Sequence, residues 1–475
     1  MKHLAPKALA GAAAALAPLA VLFGCAAAPA ASKPELASFV VLGEQGVAVA
    51  RVLTSAAQCP VIELDGRGSA MDVRATAQTM PQRRTQSAAG DSKPSSFPVL
   101  TCEKMIPPQT QTALVEGRSL PLPKDEARRI VVIGDTGCRM KKSDAAYQPC
   151  NDAKQYPFAK IAALAAGWKP DLVLHVGDYH YRENACPDGN AGCAGSPWGY
   201  GWDAWKADFF APATPLLHAA PWVMVRGNHE SCTRAGQGWW RFMDPRPLAP
   251  GRDCNDEAFD GIGNFSDPYA VLVGGDAQFI VLDTSNTSGS PIPAADIRHE
   301  KYLDMVRKLD LLSRQAGYNI AVNHHPILGF TAKQKANGEV SLLPGDRGLQ
   351  SVLAEANPLL LPPRVNVLMS GHVHVWQQVS FSSAHPSQFV AGFSGTMEDV
   401  VPLPEHLPPA ATPAAGAVVE HLSSWVNGFG FMTLERIGAI GSDHWDVKVW
   451  DSAGKQVNAC RIDGSKSQCE LAQVK

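Results

Sequence analysis

The stretch DLVLHVGDYHYRE, Asp171 to Glu183, guides the interpretation of the rest of the chain. An apolar run leads directly into Gly177-Asp178, and two tyrosines and a histidine follow within three residues. A continuous apolar run of this length is typical of a strand that is buried on both faces of a sheet. His175 lies inside the run, and we expect it to be a packed core histidine. The polar residues after the run either pack against the sheet or bind a ligand.

Four other strand-like runs also end in polar clusters. These clusters are GDTG at 134–137, GNHE at 227–230, NHHP at 323–326 and GHVH at 371–374. Helix-like segments lie between the runs, which predicts βαβ units around a largely central sheet. Ligands of α/β sheets bind beyond the carboxyl ends of the strands. We therefore expect the five clusters to converge on one site.

The chain before these motifs has a different pattern. Short β-branched runs, separated by Gly and Pro, fill residues 36–125, and a polar stretch from Thr76 to Ser96 interrupts them. This pattern predicts a small β-sandwich domain, followed by a catalytic domain over residues 126–475. Within the catalytic domain, residues 269–285 read as a β-hairpin.

The first residues have the features of an export signal. Two early lysines precede an Ala/Leu-rich run that is too short to be a transmembrane span, which predicts a signal peptide over residues 1–25 and a linker over 26–35. The sequence LFGC resembles a bacterial lipobox with Cys25 as the lipidated residue. The alternative is ordinary cleavage after an A-x-A site. Either process exports the protein to the periplasm or cell envelope, and lipidation would make it an outer-membrane lipoprotein.

Charge and cysteine content agree with export. The net charge of −3 over 475 residues gives no electrostatic reason to expect a nucleic-acid partner or an anionic membrane surface. Ten cysteines remain after Cys25, and an even number in an exported chain indicates disulfides. Thiolate metal binding is the alternative, but the sequence has no C-x-x-C. Sequential spacing predicts the pairs Cys59–Cys102, Cys138–Cys150, Cys186–Cys193, Cys232–Cys254 and Cys460–Cys469.

The residue types of the five clusters suit a centre with two metal ions. Carboxylate oxygen and imidazole nitrogen bind Fe, Mn and Zn, whereas calcium sites use oxygen almost alone. His372 and His374 are two residues apart, so on an extended segment both side chains point to the same face. A single Gly-Asp after a strand is common in proteins without metal. Five clusters in this order are a far more specific signal.

The set of motifs resembles the calcineurin-like metallophosphoesterases, and most closely the purple acid phosphatases. That family has GDxG, GDxxY, GNH(D/E), VxxH and GHxH, and Ala321 here replaces the usual valine of the fourth motif. The resemblance implies a four-layer α/β/β/α sandwich. Most relatives have GDxH, but Gly137 supplies no ligand here. Tyr181, three residues after Asp178, would replace that histidine, as in the purple acid phosphatases.

The resemblance also implies a ligand set and a mechanism. Metal 1, Fe³⁺, would have the ligands Asp135, Asp178, Tyr181 and His374. Metal 2, which would be Fe²⁺, Zn²⁺ or Mn²⁺, would have the ligands Asn228, His324 and His372, with Asp178 bridging. Two cations lower the pKa of a bound water, so that hydroxide can attack phosphorus in line. His229 would assist the leaving oxygen, and Glu230 either orients His229 or makes an ordinary loop hydrogen bond.

These features predict an exported phosphatase that hydrolyses phosphomonoesters of small molecules. Phosphodiesterase or nucleotidase activity on the same metal centre is the alternative, and a noncatalytic surface binding protein is a third hypothesis. Aromatic residues of the segment after Glu183 either form a substrate wall or seal the domain. Candidate substrate contacts, each with a purely structural alternative, are His180, Arg139, Arg226 and His325.

Overall fold

The structure, a computed structural model, describes residues 1, 36–398, 400–404, 407–408, 411–426 and 428–471. Apart from Met1, the expected signal peptide, Cys25 and the linker lie outside the described residues. No helix of the described part of the chain is long and apolar enough to cross a membrane.

The strands of the N-terminal part are short. They are β1 Leu36–Leu42, β2 Ala48–Thr54, β3 Val61–Leu64, β4 Arg67–Ala70, β5 Asp72–Ala75, β6 Gln78–Met80, β7 Ser95–Phe97, β8 Leu100–Ile106, β9 Ala113–Val115 and β10 Arg118–Ser119. The polar stretch from Thr76 to Ser96 reads as a long loop in the sequence, but β6 and β7 pair with each other there, and β7 ends one residue beyond it.

The remaining strands alternate with helices through much of the chain. The strands are β11 Arg129–Ile133, β12 Met140–Lys141, β13 Ala146–Tyr147, β14 Leu172–His175, β15 Trp222–Met224, β16 Tyr269–Gly274, β17 Ala277–Val281, β18 Tyr318–Val322, β19 Thr331–Gln334, β20 Val340–Leu343, β21 Val367–Ser370, β22 Trp376–Phe381, β23 Ser387–Ala391, β24 Val419–Trp425, β25 Gly430–Arg436, β26 His444–Asp451, β27 Gln456–Asp463 and β28 Lys466–Cys469. The helices are α1 Phe158–Gly167, α2 Trp202–Trp205, α3 Ala211–Leu217, α4 Gly236–Phe242, α5 Asp260–Gly263, α6 Ile297–Ser313 and α7 Arg347–Ala356.

Two large sheets form the centre of the fold. One has eleven strands in the order β28-β27-β26-β25-β11-β14-β15-β1-β2-β8-β5, and the other has seven in the order β16-β17-β18-β21-β23-β22-β24. β11, β14 and β15 pair in parallel in the first sheet, and β17, β18, β21 and β23 do so in the second. The expected hairpin over 269–285 is present as β16 and β17.

Side-chain alternation along the strands explains the layers. In β11, Ile130 and Val132 pack between the two sheets, whereas Val131 and Ile133 pack against α1 and the segment around α2 and α3. In the second sheet, Ala321 belongs to the core beneath α6 and α7. The fold is therefore the expected four-layer α/β/β/α sandwich.

The N-terminal part is rich in strands, as predicted, and shares a sheet with the rest of the chain. β3, β4, β9 and β10 form a separate four-stranded sheet. β1, however, pairs in parallel with β15 at Val41 and Trp222, and β2, β8 and β5 extend the same sheet outward. The boundary near residue 125 remains a prediction.

All five expected disulfides are present: Cys59–Cys102, Cys138–Cys150, Cys186–Cys193, Cys232–Cys254 and Cys460–Cys469. Two of them flank the motif loops, because Cys138 directly follows GDTG and Cys232 lies two residues after GNHE. A covalent bond next to such a loop restricts the conformations that it can adopt.

Candidate metal centre

Five loops that follow β11, β14, β15, β18 and β21 bring the motifs together. β11, β14 and β15 are neighbours in the first sheet, and β18 and β21 are neighbours in the second. Since neighbouring parallel strands end at the same edge, the loops of each sheet lie side by side. Contacts between side chains of the two groups of loops show that both edges meet at one site.

The Tyr181 hydroxyl lies at the centre of a first set of donor atoms. It is 2.8 Å from Asp135 Oδ1, 2.9 Å from Asp178 Oδ2 and 3.0 Å from His374 Nε2. All four side chains are buried. Separations of about 3 Å are those of oxygen and nitrogen donors that share one cation at about 2.1 Å.

A second set of donor atoms surrounds Asn228 Oδ1. His324 Nε2 and His372 Nδ1 each lie 3.0 Å from it. His324 Nε2 is also 3.1 Å from Asp178 Oδ2, the oxygen that already belongs to the first set. One carboxylate oxygen thus lies between the two sets, as a bridging ligand would.

Backbone carbonyls orient two of the histidines. The Nδ1–H of His324 donates to the Val176 carbonyl at 2.9 Å, and the Nδ1–H of His374 donates to the Met397 carbonyl at 2.8 Å. In the neutral tautomer with Nδ1 protonated, each ring would present an unprotonated Nε2 to the centre. This is the arrangement that metal-binding histidines usually have.

The backbone holds three of these residues in an unusual conformation. Asp135, Asp178 and His372 have φ values of 54°, 58° and 68°, in the left-handed region that non-glycine residues rarely adopt. Such conformations cost of order 1 kcal/mol or more each and are concentrated at functional sites. The fold therefore maintains strain at the places where the donor atoms converge.

The electrostatics of the centre favour a cation. Burial and the nearby charges of Asp135 and Asp178 raise the pKa of the Tyr181 phenol well above its ordinary value. Burial also raises the pKa of Asp135. A bound metal ion would lower the pKa values of both groups, because it stabilises the phenolate and the carboxylate directly. The donors, two carboxylates, a phenol, an amide and three imidazoles, fit two transition-metal ions.

The loop that carries Tyr181 packs directly against Gly137, the position at which most relatives have a histidine. A Cβ atom at position 137 would lie 2.8 Å from the Tyr179 carbonyl oxygen and from the Tyr181 nitrogen, and 2.9 Å from Asp208 Oδ2. The loop that carries Tyr181 occupies the space that a side chain at position 137 would need. Asp208 fixes this loop, accepting hydrogen bonds from the Tyr181 and Arg182 amides at 2.7 and 3.1 Å.

Glu230 joins two of the motif loops and does not orient His229. Its carboxylate accepts four backbone N–H bonds, from Asp178, Tyr179, His180 and Gly227, at 2.9 to 3.2 Å. Of the two roles considered for Glu230, the hydrogen bonds to the loops are therefore the observed one. They fix GDYHY relative to GNHE.

Glu183 and Arg234 contact the nitrogen atoms of the His229 ring. Glu183 Oε1 lies 3.2 Å from His229 Nδ1, and Arg234 Nη2 lies 2.6 Å from both ring nitrogens. Arg234 also forms a buried ion pair with Glu183, which accepts a hydrogen bond from the Tyr200 hydroxyl at 2.9 Å. Sequence reasoning missed both residues, although Glu183 lies only two positions after Tyr181.

His229 itself faces the first donor set. Its Nε2 is 3.8 Å from Asp178 Oδ2, and its ring lies against Tyr181 with centroids 3.8 Å apart. Burial and the charge of Arg234 lower the pKa of His229 to about 4, against the opposite effect of Asp178 and Glu183.

The four candidate substrate contacts separate into two pairs. Arg139 and His325 line the cavities over the centre, and the His325 ring lies 4.2 Å from that of His372. His180 and Arg226 are buried and line neither cavity. His180 contacts the Gly199 carbonyl at 2.8 Å, and Arg226 donates to the carbonyls of Glu230 and Gly263.

His175 and Tyr179, both from the stretch Asp171 to Glu183, pack in the protein core. The His175 ring stacks on Tyr179 with centroids 3.7 Å apart, which confirms the expected core histidine.

Trp202 and Trp205 belong to an aromatic cluster with Phe210 and Phe242. Of the two interpretations of the aromatic segment, the contacts favour sealing of the domain.

A cavity of about 600 Å³ opens over the donor atoms. Tyr181, Asn228, His229, His372 and His374 form its floor. The basic residues that line it are Arg139, Lys141, Arg234, Lys333 and Arg347, whereas Asp178 and Asp346 are the only acidic residues of the described chain that do so. This excess of positive charge suits an anionic ligand.

Comparisons with known proteins give a family model that matches the chain and solved structures with a similar fold. The family model described as calcineurin-like phosphoesterase matches residues 128–376. A purple acid phosphatase, PPD1, from yellow lupin (Lupinus luteus) seeds is similar in structure with a TM-score of 0.52 and 15% identity, over 92% of this chain and 74% of that chain. PhoD has a TM-score of 0.48 and 11% identity, over 94% of each chain. No curated protein matches the sequence significantly.

Proposed function

The chain belongs to the calcineurin-like phosphoesterase family and is a metal-dependent phosphoester hydrolase, and on this premise we propose that it is an exported phosphatase with two metal ions. Its substrates are phosphorylated small molecules, and simple phosphomonoesters are the first class to test. The observation that supports this most strongly is Asp178 Oδ2, which lies within 3.1 Å of donors from both sets.

Seven side chains would hold the two ions. Asp135, Tyr181 and His374 would hold the first, Asn228, His324 and His372 the second, and Asp178 both. When bound, the ions supply charge neutralisation for the phosphate and acidify a water molecule. Tyrosinate is a hard anionic donor, so we propose Fe³⁺ in the first position and Fe²⁺, Zn²⁺ or Mn²⁺ in the second.

The protein's own residues bind the phosphate and handle a proton. Lys141 and Arg234 line the cavity beside Asn228 and attract the phosphate. His229 presents Nε2 to the same space, while Glu183 is at its Nδ1. An incoming phosphate adds negative charge, which favours the protonated ring. His229 then donates this proton to the leaving oxygen.

Metal loading is expected to produce both turnover and colour. Chelated protein should be colourless and inactive towards 4-nitrophenyl phosphate. Protein reloaded with Fe³⁺ and Zn²⁺ should regain turnover and show a visible tyrosinate-to-iron charge-transfer band. The measurements are metal content, the visible spectrum and the release of 4-nitrophenol.

Two neighbouring tyrosines provide a matched comparison for this experiment. Tyr181→Phe should lose the visible band, whereas Tyr179→Phe should keep it, because Tyr179 belongs to neither donor set and its ring stacks on His175 in the core. A colourless wild-type protein that is fully loaded and active would overturn the assignment of Fe³⁺ to Tyr181. The proposed phosphatase function would be refuted only if the metal-loaded protein hydrolysed no phosphoester.

Glu183→Gln is expected to impair catalysis through His229. We expect kcat to fall about 100-fold for alkyl phosphates, whose leaving oxygen needs a proton, and much less for 4-nitrophenyl phosphate. In a His229→Ala background the same substitution should have little further effect. Glu300→Gln, on the exposed face of α6, is the control. An equal loss for both substrates would indicate a structural role for Glu183 and contradict the proposal.

The cysteines support the proposed export. Five disulfides are typical of proteins that fold in an oxidising compartment. We propose the periplasm or cell envelope as the location. Attachment through a lipidated Cys25 and the absence of a nucleic-acid partner remain predictions from the sequence.

A further inference from the structure

A sixth loop packs against the metal centre, although its side chains belong to neither donor set. Residues 394–397, which follow β23 and which we call the support segment, run beside the GDTG loop. The Thr396 amide donates to the Asp135 carbonyl at 2.9 Å, and the Thr396 hydroxyl donates to the Gly137 carbonyl at 2.7 Å. The support segment is therefore attached to a loop that carries a ligand of the first ion.

The support segment ends at Met397, whose carbonyl orients another ligand of the first ion. The Nδ1–H of His374 donates to this carbonyl at 2.8 Å, and His374 Nε2 lies 3.0 Å from the Tyr181 hydroxyl. The segment has no room to move towards the GDTG loop, because even a Cβ atom at Gly395 would overlap the Thr136 carbonyl oxygen. The position of the support segment thus sets the direction of the His374 ring.

The buried side chain of Gln148 holds the support segment in this position. Its Oε1 accepts hydrogen bonds from the amides of Arg139 and Met397 at 2.9 and 3.0 Å. Its Nε2 donates to the carbonyls of Gly395 and Gln155 at 2.8 and 2.7 Å. Two acceptor and two donor positions are all that a side-chain amide has. Every one of them is used, and two of the four reach the support segment.

Gln148 is itself fixed beside the GDTG loop. Its backbone amide donates to the Arg139 carbonyl at 2.8 Å. The Cys138–Cys150 disulfide closes the short loop that carries Gln148 and restricts the conformations of that loop. Gln148 lines neither cavity over the centre, so it does not contact a substrate bound there. Any effect of Gln148 on the chemistry has to pass through the groups that it holds.

We propose that Gln148 is a positioning residue for the first metal ion, and this inference rests on the proposed function. It acts through the support segment and the Met397 carbonyl on His374. Without its amide, buried backbone groups of Gly395 and Met397 lose their partners, and the segment moves to find others. The His374 ring then loses the hydrogen bond that fixes its orientation and tautomer.

The effect of Gln148 should be confined to the first ion. His324, a ligand of the second ion, takes its orienting hydrogen bond from the Val176 carbonyl and not from the support segment. A residue that merely stabilised the fold would affect both ions alike. The difference between the two ions therefore separates a positioning role from a structural one.

Gln148→Met tests this inference, because methionine keeps the length of the side chain and removes all four hydrogen bonds. The affinity for Fe³⁺, measured by competition with a chelator, should fall about 10- to 100-fold. The tyrosinate-to-iron band should shift, since His374 and Tyr181 bind the same ion. The affinity of the iron-loaded protein for Zn²⁺ at the second position should not change.

Gln378→Met is the matched control. Gln378 is also a buried glutamine, but its amide donates to Ser467 of β28 and to no loop of the centre. This variant should lose thermal stability and keep both metal affinities and the visible band. If Gln148→Met does not fold, Gln148→Asn decides the question. It retains the amide but is one methylene group shorter, so it should lose part of the four bonds and show the same selective loss of Fe³⁺ affinity.

Three outcomes have distinct meanings. Wild-type Fe³⁺ affinity and an unshifted band in the folded Gln148 variant would overturn the inference, and so would an equal loss of both ions. In either case, wild-type protein that hydrolyses 4-nitrophenyl phosphate would leave the proposed function intact. Conversely, a wild-type protein that binds both ions but hydrolyses no phosphoester would refute the proposed function, while the role of Gln148 could still be measured from iron affinity and the spectrum.

Discussion

Asp178→Asn is expected to abolish turnover, with a fall in kcat of about 10⁴-fold or more. Asp178 Oδ2 is 2.9 Å from the Tyr181 hydroxyl and 3.1 Å from His324 Nε2, so one substitution alters both donor sets. Asparagine has the same shape as aspartate but lacks the negative charge that would offset two cations. Metal content by mass spectrometry and kcat with 4-nitrophenyl phosphate are the measurements. We expect both ions to be lost or weakly held.

Two comparisons make the Asp178 result specific. Asp188→Asn removes a carboxylate from the exposed loop between Cys186 and Cys193 and should change neither quantity. Asn228→Ala should weaken only the second ion, because Asn228 contacts only the second set. If Asp178→Asn retained two ions and full activity, the bridging role of Asp178 would be refuted.

Gly227→Ala should be highly damaging, although it removes no functional group. A Cβ atom at this position would overlap Asp178 Oδ1 and the Asp178 backbone nitrogen. The GNHE and GDYHY loops would have to separate, although Glu230 joins them by hydrogen bonds. Displacement by about 1 Å at a catalytic centre costs about 100-fold in rate, and overpacking destabilises a fold by about 1–3 kcal/mol. Thermal unfolding and kcat would measure the two effects.

Gly167→Ala is the control for this substitution. Gly167 ends α1, and a Cβ atom there meets no other atom within 4 Å. Alanine is favoured over glycine in a helix, so this variant should be as stable as the wild type or slightly more stable. Wild-type activity in Gly227→Ala would show that the two loops can separate without harm to the centre.

The layers of the fold were predictable because side-chain burial follows strand periodicity. The apolar runs before GDTG and GDYHY matched β11 and β14, which are buried on both faces. The partners of β1 could not be predicted in the same way. In the structure both faces of β1 are buried, but periodicity in the sequence does not encode which strand lies beside it. Only the structure shows that β1 pairs with β15.

In the candidate site, too, some features could be predicted from the sequence and others could not. The predicted donors converge because each follows directly after a strand, where a short loop leaves little freedom. Glu183 and Arg234 reach His229 from positions after the motifs, and no spacing rule indicated their direction. Glu230 adjoins His229 in the sequence, yet its carboxylate points to the backbone of the GDYHY loop. The orientation of a side chain in an irregular loop depends on tertiary contacts that a linear pattern does not contain.

The parallel pairing of β1 with β15 has a consequence for how the protein reaches its folded state. Trp222 joins the sheet only after a long stretch of chain has followed Val41, and such non-local contacts form slowly. Until then, β15 is an open edge with unsatisfied hydrogen-bonding groups, the kind of surface on which chains associate wrongly. We therefore expect the N-terminal strands, which cover this edge in the folded protein, to protect the catalytic sheet from aggregation. A shortened chain that began near residue 126 would keep all the metal-binding motifs and lose this protection.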